Sequence, residues 1–487
     1  MSNFIINYFK EPPIKEEIQD KEKVDKMYKH WSFRIFYSVY LAYIIAHLCR
    51  KNIAVALPFI GQDLGYTNTQ LGILGSSLYM TYGIGKFCNG ILADRSNVRT
   101  FLPTAMIISA IANLCFAYSA VFITPGHVSF FGLPSSTILL WILTFFWGAN
   151  GWFQSMIFPP IAKALSYWLS KSERATKWSI WSTSHQLGVF TTVMLSGILI
   201  GHFGWKTAFG IEAIIVIITA FWLFERLRDK PQSMGLPDID VYKNEKIDEP
   251  EEEQKKQTMS YFEMFRKYII CNKILWLLSI AYAFVYVIRF GTEDWFVKYL
   301  MEFKGDSLAI ATAKLSSLAV VGSVGAIAAG WFSDRSSSGS RIPINIIFFI
   351  GLGTCLFLFH INTFDPFDYI LAALIGAFTA GPQLLLGGVC ALEATSKEVA
   401  SAALGFAGMF GYVGAVLSAS GTGFMIDFFQ AKFNNGWLGA VIFWISSSII
   451  GIIMCLIIMA YSSAKAKKLK KTEVKNPSEE AKIEVQK

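Results

Sequence analysis

The chain has 487 residues, of which 53% are hydrophobic and 15% aromatic, and its mean hydropathy is +0.44. This composition excludes a soluble enzyme or a soluble binding module and predicts a polytopic membrane protein. The formal net charge of +8 would suit nucleic-acid binding if the basic residues formed one surface patch. Their distribution along the chain, described below, does not form such a patch.

Twelve apolar segments reach the length of about 20 residues that a membrane-spanning helix needs. The polar stretch 226–273 separates the first six segments from the last six. We therefore predict an all-α membrane protein with twelve transmembrane helices in two six-helix bundles. In chain order the spans are 33–59, 69–92, 100–122, 137–164, 176–200, 205–225, 274–300, 308–332, 342–360, 368–392, 400–424 and 437–462.

The same pattern predicts the domain organisation. The expected parts are a cytoplasmic N-terminal segment (1–32), an N-terminal bundle (33–225), a cytoplasmic connector (226–273), a C-terminal bundle (274–462) and a cytoplasmic tail (463–487). The connector is polar and contains turn-forming residues such as Pro231, Gly235 and Pro237.

Basic residues concentrate in alternate loops. The connector and the tail are rich in lysine, whereas the loops on the other side hold few basic residues: Lys206, Lys298, Lys304 and Lys432. By the positive-inside rule, both termini are expected in the cytoplasm. The excess charge is therefore interpreted as a topology signal, and no nucleic-acid partner is expected.

The two halves repeat the same landmarks at the same spacing. Arg50 and Arg289 are 239 residues apart, and Asp94 and Asp334 are 240 apart. A common offset at two independent landmarks indicates a duplicated six-helix unit and pseudo-symmetric bundles.

Charged pairs follow the second and the eighth span directly. GILADRSNVR contains Asp94 and Arg95, and GWFSDRSSSGSR contains Asp334 and Arg335. Because these pairs lie at the membrane edge, far from its middle, we predict that they act in gating and do not contact substrate.

Two arginines lie deep within apolar spans. Arg50 is in span 33–59 and Arg289 is in span 274–300. A central arginine costs roughly 2.5–3.5 kcal/mol on translocon scales, so it normally faces protein or a watery cavity. Tyr43 and Tyr282 precede these arginines by seven residues, which on a continuous helix is two turns and one face. The sequence therefore predicts one shared anion site between the halves.

Other polar residues of the spans are candidates for the same site. His47 and Tyr286 lie three residues before the two arginines, Lys51 follows Arg50, Lys86 is in the second span and His185 in the fifth. Each has a structural alternative. The histidines can bridge helices, the lysines can snorkel, the tyrosines can simply pack, and Arg289 can form an ion pair with Glu293 four residues on.

An arginine pair suits a phosphate group because each guanidinium makes two parallel charge-assisted hydrogen bonds. Carboxylates and sulfates would also fit, so this chemistry predicts only an anion site. No phosphate-binding loop for ATP and no catalytic motif is present. The seven cysteines form no CxxC pair. We expect no enzymatic activity, no metal and no cofactor.

Several ten-residue blocks resemble a known family. Duplicated halves with a D-R loop resemble the major facilitator superfamily. More narrowly, the sequence resembles the organophosphate:phosphate antiporters, which include hexose-phosphate and glycerol-3-phosphate transporters and a hexose-phosphate sensor. The blocks that carry this resemblance are RKNIAVALP (50–58), DRSNVRTFLP (94–103), GWFQSMIFPP (151–160), RDKPQSMGLP (228–237) and GFAGMFGYVGA (405–415).

The resemblance implies the major facilitator fold and a phosphate clamp formed by Arg50 and Arg289. By the same motifs it implies roles for Lys51, Lys86, His185 and Tyr43. The chain departs from glycerol-phosphate members at the organic part of the site. His47 replaces a tyrosine, and the segment around His185 differs at Ala175, Ser182, Gln186 and Val189.

We therefore predict a monomeric antiporter of the bacterial inner membrane. It would exchange a hexose phosphate such as glucose 6-phosphate for inorganic phosphate by alternating access. The alternatives are a membrane sensor for hexose phosphate and a transporter of glycerol 3-phosphate or phosphoglycerate. A proton-coupled symporter is disfavoured because membrane-buried carboxylates are scarce, with Glu293 or Asp294 as the only plausible carriers in span 274–300.

Overall fold

A computed structural model describes residues 7–122, 134–243, 261–335, 341–395 and 399–475. Within these ranges the regular structure is helical, apart from one isolated bridge between Lys10 and Ser96. Helices are expected because the backbone of a membrane span must satisfy its own hydrogen bonds.

The N-terminal half consists of helices that zigzag between its two ends. They are α1 (Lys21–Ala46), α2 (Asn52–Leu64), α3 (Asn68–Asp94), α4 (Val98–Phe122), α5 (Ser135–Ser155), α6 (Phe158–Trp168) and α7 (Lys171–Arg226). Gly204 in α7 has a positive φ of 76° and is not helical. It marks the turn between the fifth and the sixth span, where glycine avoids a steric penalty.

The C-terminal half has the corresponding helices. They are α8 (Lys273–Tyr299), α9 (Leu308–Asp334), α10 (Ile342–Ile361), α11 (Asp365–Leu384), α12 (Ala400–Phe433) and α13 (Gly436–Lys475). α11 continues through a π-helical turn, Leu385–Val389, into Cys390–Glu393. In the connector, short helices cover Pro231–Met234, Ile239–Tyr242 and Tyr261–Phe265.

Nine helical runs in the described residues have the length and hydropathy of a membrane span. One of them contains both parts of α7, and α3 and α5 are also long enough but richer in small and polar residues. Counted in this way, the helices give the twelve predicted crossings. The exact domain limits at 33, 225, 274 and 462 stay predictions.

The two halves touch closely at the end of the molecule opposite the connector, which we call the far end. A Cβ on Gly72 of α3 would lie 2.5 Å from the Ala419 carbonyl oxygen of α12. The Asp427 carboxylate accepts hydrogen bonds from the backbone and side chain of Asn68 and Thr69, at 2.7–3.2 Å. Small residues and these hydrogen bonds hold the far end closed.

The halves separate toward the end that carries the connector, which we call the connector end. α3 and α12 stay in contact down to Lys86, whose Nζ lies 5.8 Å from the Tyr412 ring. Beyond that level, a Cβ built on Gly90 or Gly405 would meet nothing within 4 Å. No ring contact, ion pair or hydrogen bond between the two halves is recorded beyond this level in the described residues, and we call this side the open side.

The N-terminal segment docks on the connector end of its own half. Phe9 accepts a hydrogen bond from Asn97 (2.8 Å), and Ile18 donates to Gly235 (2.9 Å). Glu11 forms ion pairs with Lys163 (2.5 Å) and Lys230 (2.8 Å). We call these contacts of residues 8–18 the clasp.

Candidate functional site

The span that carries Arg50 is interrupted at the arginine. α1 ends at Ala46, a 3₁₀ turn covers His47–Cys49, and α2 begins at Asn52. Arg50 and Lys51 lie between the helices. We call His47–Lys51 the break. The prediction of one continuous helix over 33–59, with Tyr43, His47 and Arg50 on one helical face, is therefore wrong at this point.

Buried polar side chains replace the hydrogen bonds that the helix loses at the break. Gln154 of α5 donates to the Ala46 carbonyl oxygen at 3.0 Å, and Asn150 donates to that of Cys49 at 2.6 Å. Ser109 of α4 is hydrogen-bonded to both amides, at 2.8 and 2.7 Å. Freed backbone carbonyls are tolerated in a membrane only with such partners, so this network stabilises the break.

Arg50 is buried and has no acidic partner among the described residues. Arg50 is only 8% exposed, and its guanidinium lies 4.3 Å from the centroid of the Tyr82 ring. Nη1 contacts the Tyr82 hydroxyl at 3.5 Å, and Nε has no hydrogen-bond partner within the described ranges. None of the ion pairs recorded in those ranges involves Arg50. The site thus contains a desolvated cation with unused donors.

Arg289 is equally buried, at 7% exposure, but it is paired. Its Nε donates to Glu293 Oε1 at 2.8 Å. Its guanidinium also lies 5.2 Å from the Phe290 ring and 5.8 Å from the Tyr286 ring. The intrahelical ion pair that was the structural alternative for Arg289 is therefore present.

Lys51 joins the two halves through acids of α8. Its Nζ lies 2.8 Å from Glu293 Oε2 and 3.0 Å from Asp294 Oδ1. Tyr79 of α3 also donates to Asp294. Sequence reasoning missed this link because its partners are about half the chain apart. The available signal was that acids follow Arg289 closely whereas none follows Arg50.

His47, His185 and Tyr43 lie together near both arginines. We call the region that these five residues surround the chamber, and its side with the two imidazole rings the histidine wall. The two imidazole rings lie 5.0 Å apart, and the Tyr43 ring lies 6.3 Å from that of His185. Tyr43 and His185 each interact electrostatically with both Arg50 and Arg289. The structure therefore brings both arginines and these three residues together.

Tyr286 and Lys86 lie at the edge of the chamber that faces the open side. Tyr286 accepts a hydrogen bond from Tyr282 at 3.1 Å, and its ring is 5.9 Å from that of Tyr412. The Lys86 side chain is exposed. Lys86 therefore adds positive potential at the entrance and is not buried with Arg50.

The predicted gating residues lie at the connector end of each half. Asp94 and Arg95 are exposed, and the Asp94 carbonyl oxygen accepts a hydrogen bond from Lys163 at 3.1 Å. In the other half, Asp334 pairs with Arg341 at 2.8 Å. The Arg335 guanidinium lies 4.0 Å from the Trp331 ring. The contacts recorded for these residues in the described ranges stay within their own half.

The charges favour an anion. Arg50, Lys51 and Arg289 meet two carboxylates, those of Glu293 and Asp294. An additional anion would restore the balance and satisfy the unused donors of Arg50. A search of the described residues for groups of histidine, cysteine and acidic side chains that could hold a metal ion found none.

Comparisons with known proteins show the family of this chain. The family model for the Major Facilitator Superfamily matches residues 39–419. A probable hexose phosphate transport protein of Chlamydia muridarum is 39% identical, and the match covers 93% of this chain and 96% of that protein. A glycerol-3-phosphate transporter of Bacillus subtilis is 35% identical, and the match covers 92% of this chain and 97% of that protein. The membrane sensor protein UhpC of Escherichia coli is 32% identical over 85% and 90%.

Solved structures show the same fold. A bacterial homologue of the human lysosomal transporter Spinster, inward-facing and unoccupied, superposes with a TM-score of 0.67 at 18% identity, covering 88% of this chain and 96% of that chain. A D-xylose-proton symporter gives a TM-score of 0.66 at 16% identity, covering 88% and 97%.

The chain belongs to the Major Facilitator Superfamily, a class of multi-pass membrane transport proteins, and it is not an enzyme. Within the superfamily it belongs to the organophosphate:phosphate antiporter group, which contains the hexose phosphate transporters, the glycerol-3-phosphate transporters and UhpC.

Proposed function

We propose that this protein exchanges a hexose phosphate, such as glucose 6-phosphate, for inorganic phosphate by alternating access. It acts as a monomer in the bacterial inner membrane with both termini and the connector end in the cytoplasm, as the basic loops indicate. The observation that supports the proposal is the buried Arg50, whose Nε has no hydrogen-bond partner in the described residues and which interacts, as Arg289 does, with Tyr43 and His185.

Phosphate would bind Arg50 first, because it does not have to displace a carboxylate from this guanidinium. Arg289 is the second ligand, and it becomes available when phosphate replaces Glu293 at its Nε. Lys51 keeps Asp294 as a counter-ion during this change. The phosphate thereby links a residue of α8 to the break in the N-terminal half.

The uncompensated positive charge of the empty site would account for exchange in place of free uptake. Without an anion, the empty chamber holds an uncompensated cation, and closing the connector end would remove it further from water. Bound phosphate neutralises that charge and lets the halves close around it. Transit of the empty protein is therefore slow, and an outgoing anion is required for each incoming one.

The organic part of the ligand would lie against the histidine wall. The His47 Nδ1 atom lies 2.6 Å from the Tyr43 carbonyl oxygen, so it donates there. In the neutral ring Nε2 is then an acceptor, and it has no partner in the described residues. An acceptor suits a hydroxyl of the organic part better than a phosphate oxygen. The higher identity to a probable hexose phosphate transport protein (39%) than to a glycerol-3-phosphate transporter (35%) supports a hexose as that part.

Counterflow into proteoliposomes tests the proposal. Vesicles loaded with inorganic phosphate should accumulate labelled glucose 6-phosphate, and vesicles without internal phosphate or organophosphate should not. Glycerol 3-phosphate and 3-phosphoglycerate, offered in parallel, should compete less well. Fast uptake into empty vesicles, or uptake that follows the pH gradient and ignores internal phosphate, would contradict the exchange mechanism.

A sensor role is the second candidate, favoured by the 32% identity to UhpC over 85% of the chain. Such a protein would bind hexose phosphate in the same site and signal through the connector and the tail. Replacing residues 244–260 of the connector and the tail separates the two functions. Exchange that survives this replacement while a cellular response to hexose phosphate is lost would support sensing.

A further inference from the structure

Glu212 is an acid inside the N-terminal half that the proposed transport mechanism does not use. It lies in the sixth span, after Gly204 in α7, and its side chain is 0% exposed. One carboxyl oxygen accepts a hydrogen bond from Ser196, and the other accepts from Asn52 Nδ2 at 2.9 Å. Asn52 Nδ2 also lies 3.3 Å from Asn113 Oδ1.

The surroundings of Glu212 favour the neutral acid. No ion pair to Glu212 is recorded in the described ranges, and its hydrogen-bonding partners Ser196 and Asn52 are uncharged. The Cys49 thiol of the break interacts electrostatically with it. A buried carboxylate without a cation is costly, so the group keeps its proton. Because a hydroxyl both donates and accepts, Ser196 can also accept a hydrogen bond from the protonated carboxyl group.

The position of Asn52 gives this hydrogen bond its significance. Asn52 is the first residue of α2 and directly follows Arg50 and Lys51. On the other side of the break, Gln154 and Asn150 hold backbone carbonyls of Ala46 and Cys49. The start of α2 is held instead through a side chain, by Glu212.

We propose that Glu212, as a neutral carboxylic acid, is a positioning residue that sets the direction of Arg50 and Lys51 through its hydrogen bond from Asn52. The effect on phosphate affinity rests on the proposed function, because it requires Arg50 to bind phosphate. The effect on the geometry of the break does not. Two readouts therefore separate the two ideas.

The test compares Glu212→Gln with Glu212→Leu in the full chain in nanodiscs. Glutamine keeps an acceptor for Asn52 without a titratable proton, whereas leucine removes it. Thr422→Val is the matched control, because it removes a buried hydrogen bond, from Trp444 at 3.0 Å, in the other half. The first readout is the Kd of inorganic phosphate. The second is the rate at which N-ethylmaleimide labels Cys49, followed by peptide mass spectrometry.

We expect Glu212→Gln and Thr422→Val to stay within about twofold of the wild type in both readouts. Glu212→Leu should raise the Kd of phosphate roughly tenfold, the equivalent of one lost buried hydrogen bond. It should also accelerate labelling of Cys49, which is buried at the break, and leave Cys455, buried in α13, unchanged. If Glu212→Leu does not fold, Asn52→Ala removes the same hydrogen bond from the other side.

Three results would overturn the inference. Glu212→Leu could match the wild type in Cys49 labelling. Glu212→Gln could be as damaging as leucine, which would show that a charge or a proton transfer is required. In Glu212→Leu, the labelling rate of Cys455 could increase by the same factor as that of Cys49, which would show that the whole protein is loosened. A wild type that binds no phosphate, with Cys49 exposed only in Glu212→Leu, would refute the proposed function and leave the positioning role supported.

Discussion

The two buried arginines occupy equivalent places in the two halves and are held in opposite ways. Arg50 lies at a break between two helices, with an aromatic ring beside it and no recorded acidic partner. Arg289 lies in the middle of α8, where Glu293 one turn later takes its Nε. Duplication preserved the position of the cation, whereas the local backbone and the charges diverged. In our proposal, one arginine captures the anion and the other waits until its carboxylate is displaced.

The connector end shows a similar contrast. The Asp94 loop is fixed by Lys163 and by the clasp of the N-terminal segment. Asp334 pairs with Arg341, which also pairs with Glu393 at 2.6 Å. The predicted gating residues of the two halves thus have different partners, and each set can be changed without touching the other.

Removing either arginine should have the largest effect. We expect Arg50→Gln and Arg289→Gln each to lower phosphate-linked exchange by about 100-fold or more, because a buried phosphate loses a charged partner. Counterflow of labelled phosphate measures this loss. Lys206→Gln, which removes an exposed pair with Asp63 at the far end, should change little. Retained exchange in the double variant would end the proposal of an arginine clamp.

Glu293→Gln tests whether the second arginine is occupied by a competitor. With the carboxylate neutralised, Arg289 and Lys51 should bind phosphate about three- to tenfold more tightly. Exchange should become slower, because Glu293 no longer displaces the bound phosphate from Arg289 and phosphate is released more slowly. Titration with inorganic phosphate and counterflow measure the two effects. Glu302→Gln, beside Lys298 outside the chamber, is the control. An unchanged or weaker affinity would contradict competition.

Arg341→Gln tests the loop of the C-terminal half. The hydrogen bonds to Asp334 and Glu393 raise the pKa of Arg341, so the group stays charged at any working pH. Because the pairs are largely exposed, we expect only a two- to threefold change in exchange rate, about 0.5 kcal/mol. The difference from the wild type should shrink as salt rises from about 0.05 to about 0.5 M. An effect that is independent of salt would argue against a charge-based role.

Glu11→Gln tests the clasp and should have the smallest effect. Partial burial raises the pKa of Glu11, but Lys163 and Lys230 outweigh this and lower it below 4.5. The pairing therefore stabilises the fold fully above pH 4.5, and this contribution is lost as the pH falls through the lowered native pKa. We expect a Tm about 1 °C lower at pH 7 and a smaller difference near pH 3. A difference that grows toward acid pH would contradict this assignment.

Much of the fold follows from the sequence. The apolar spans are visible in the local hydropathy, and the duplication is visible in landmarks that recur about 240 residues apart. Arg50 and Arg289 were also predictable, since a cation within an apolar span requires a polar cavity. The break was not, because its supports, such as Asn150 and Gln154, come from a different span. Glu212 was visible as an acid inside the apolar span 205–225, but its partner Asn52 is 160 residues away.

The Lys51 link to Glu293 and Asp294 was equally out of reach. It depends on how the halves meet, and no helical spacing encodes a contact between two bundles. The same holds for the clasp, in which the charged residues of a polar N-terminal segment find partners in α6 and in the connector.

The clasp attaches residues 8–18 to the N-terminal bundle. Residues 8–18 are fastened only to elements of the N-terminal half among the contacts described above, so they travel with that half. A dye at Ile14, which is 72% exposed, and a second dye at Tyr461 in α13, which is 39% exposed, would therefore form an optical ruler. Energy transfer between them would follow the opening and closing of the connector end as anions bind, without a label near the chamber.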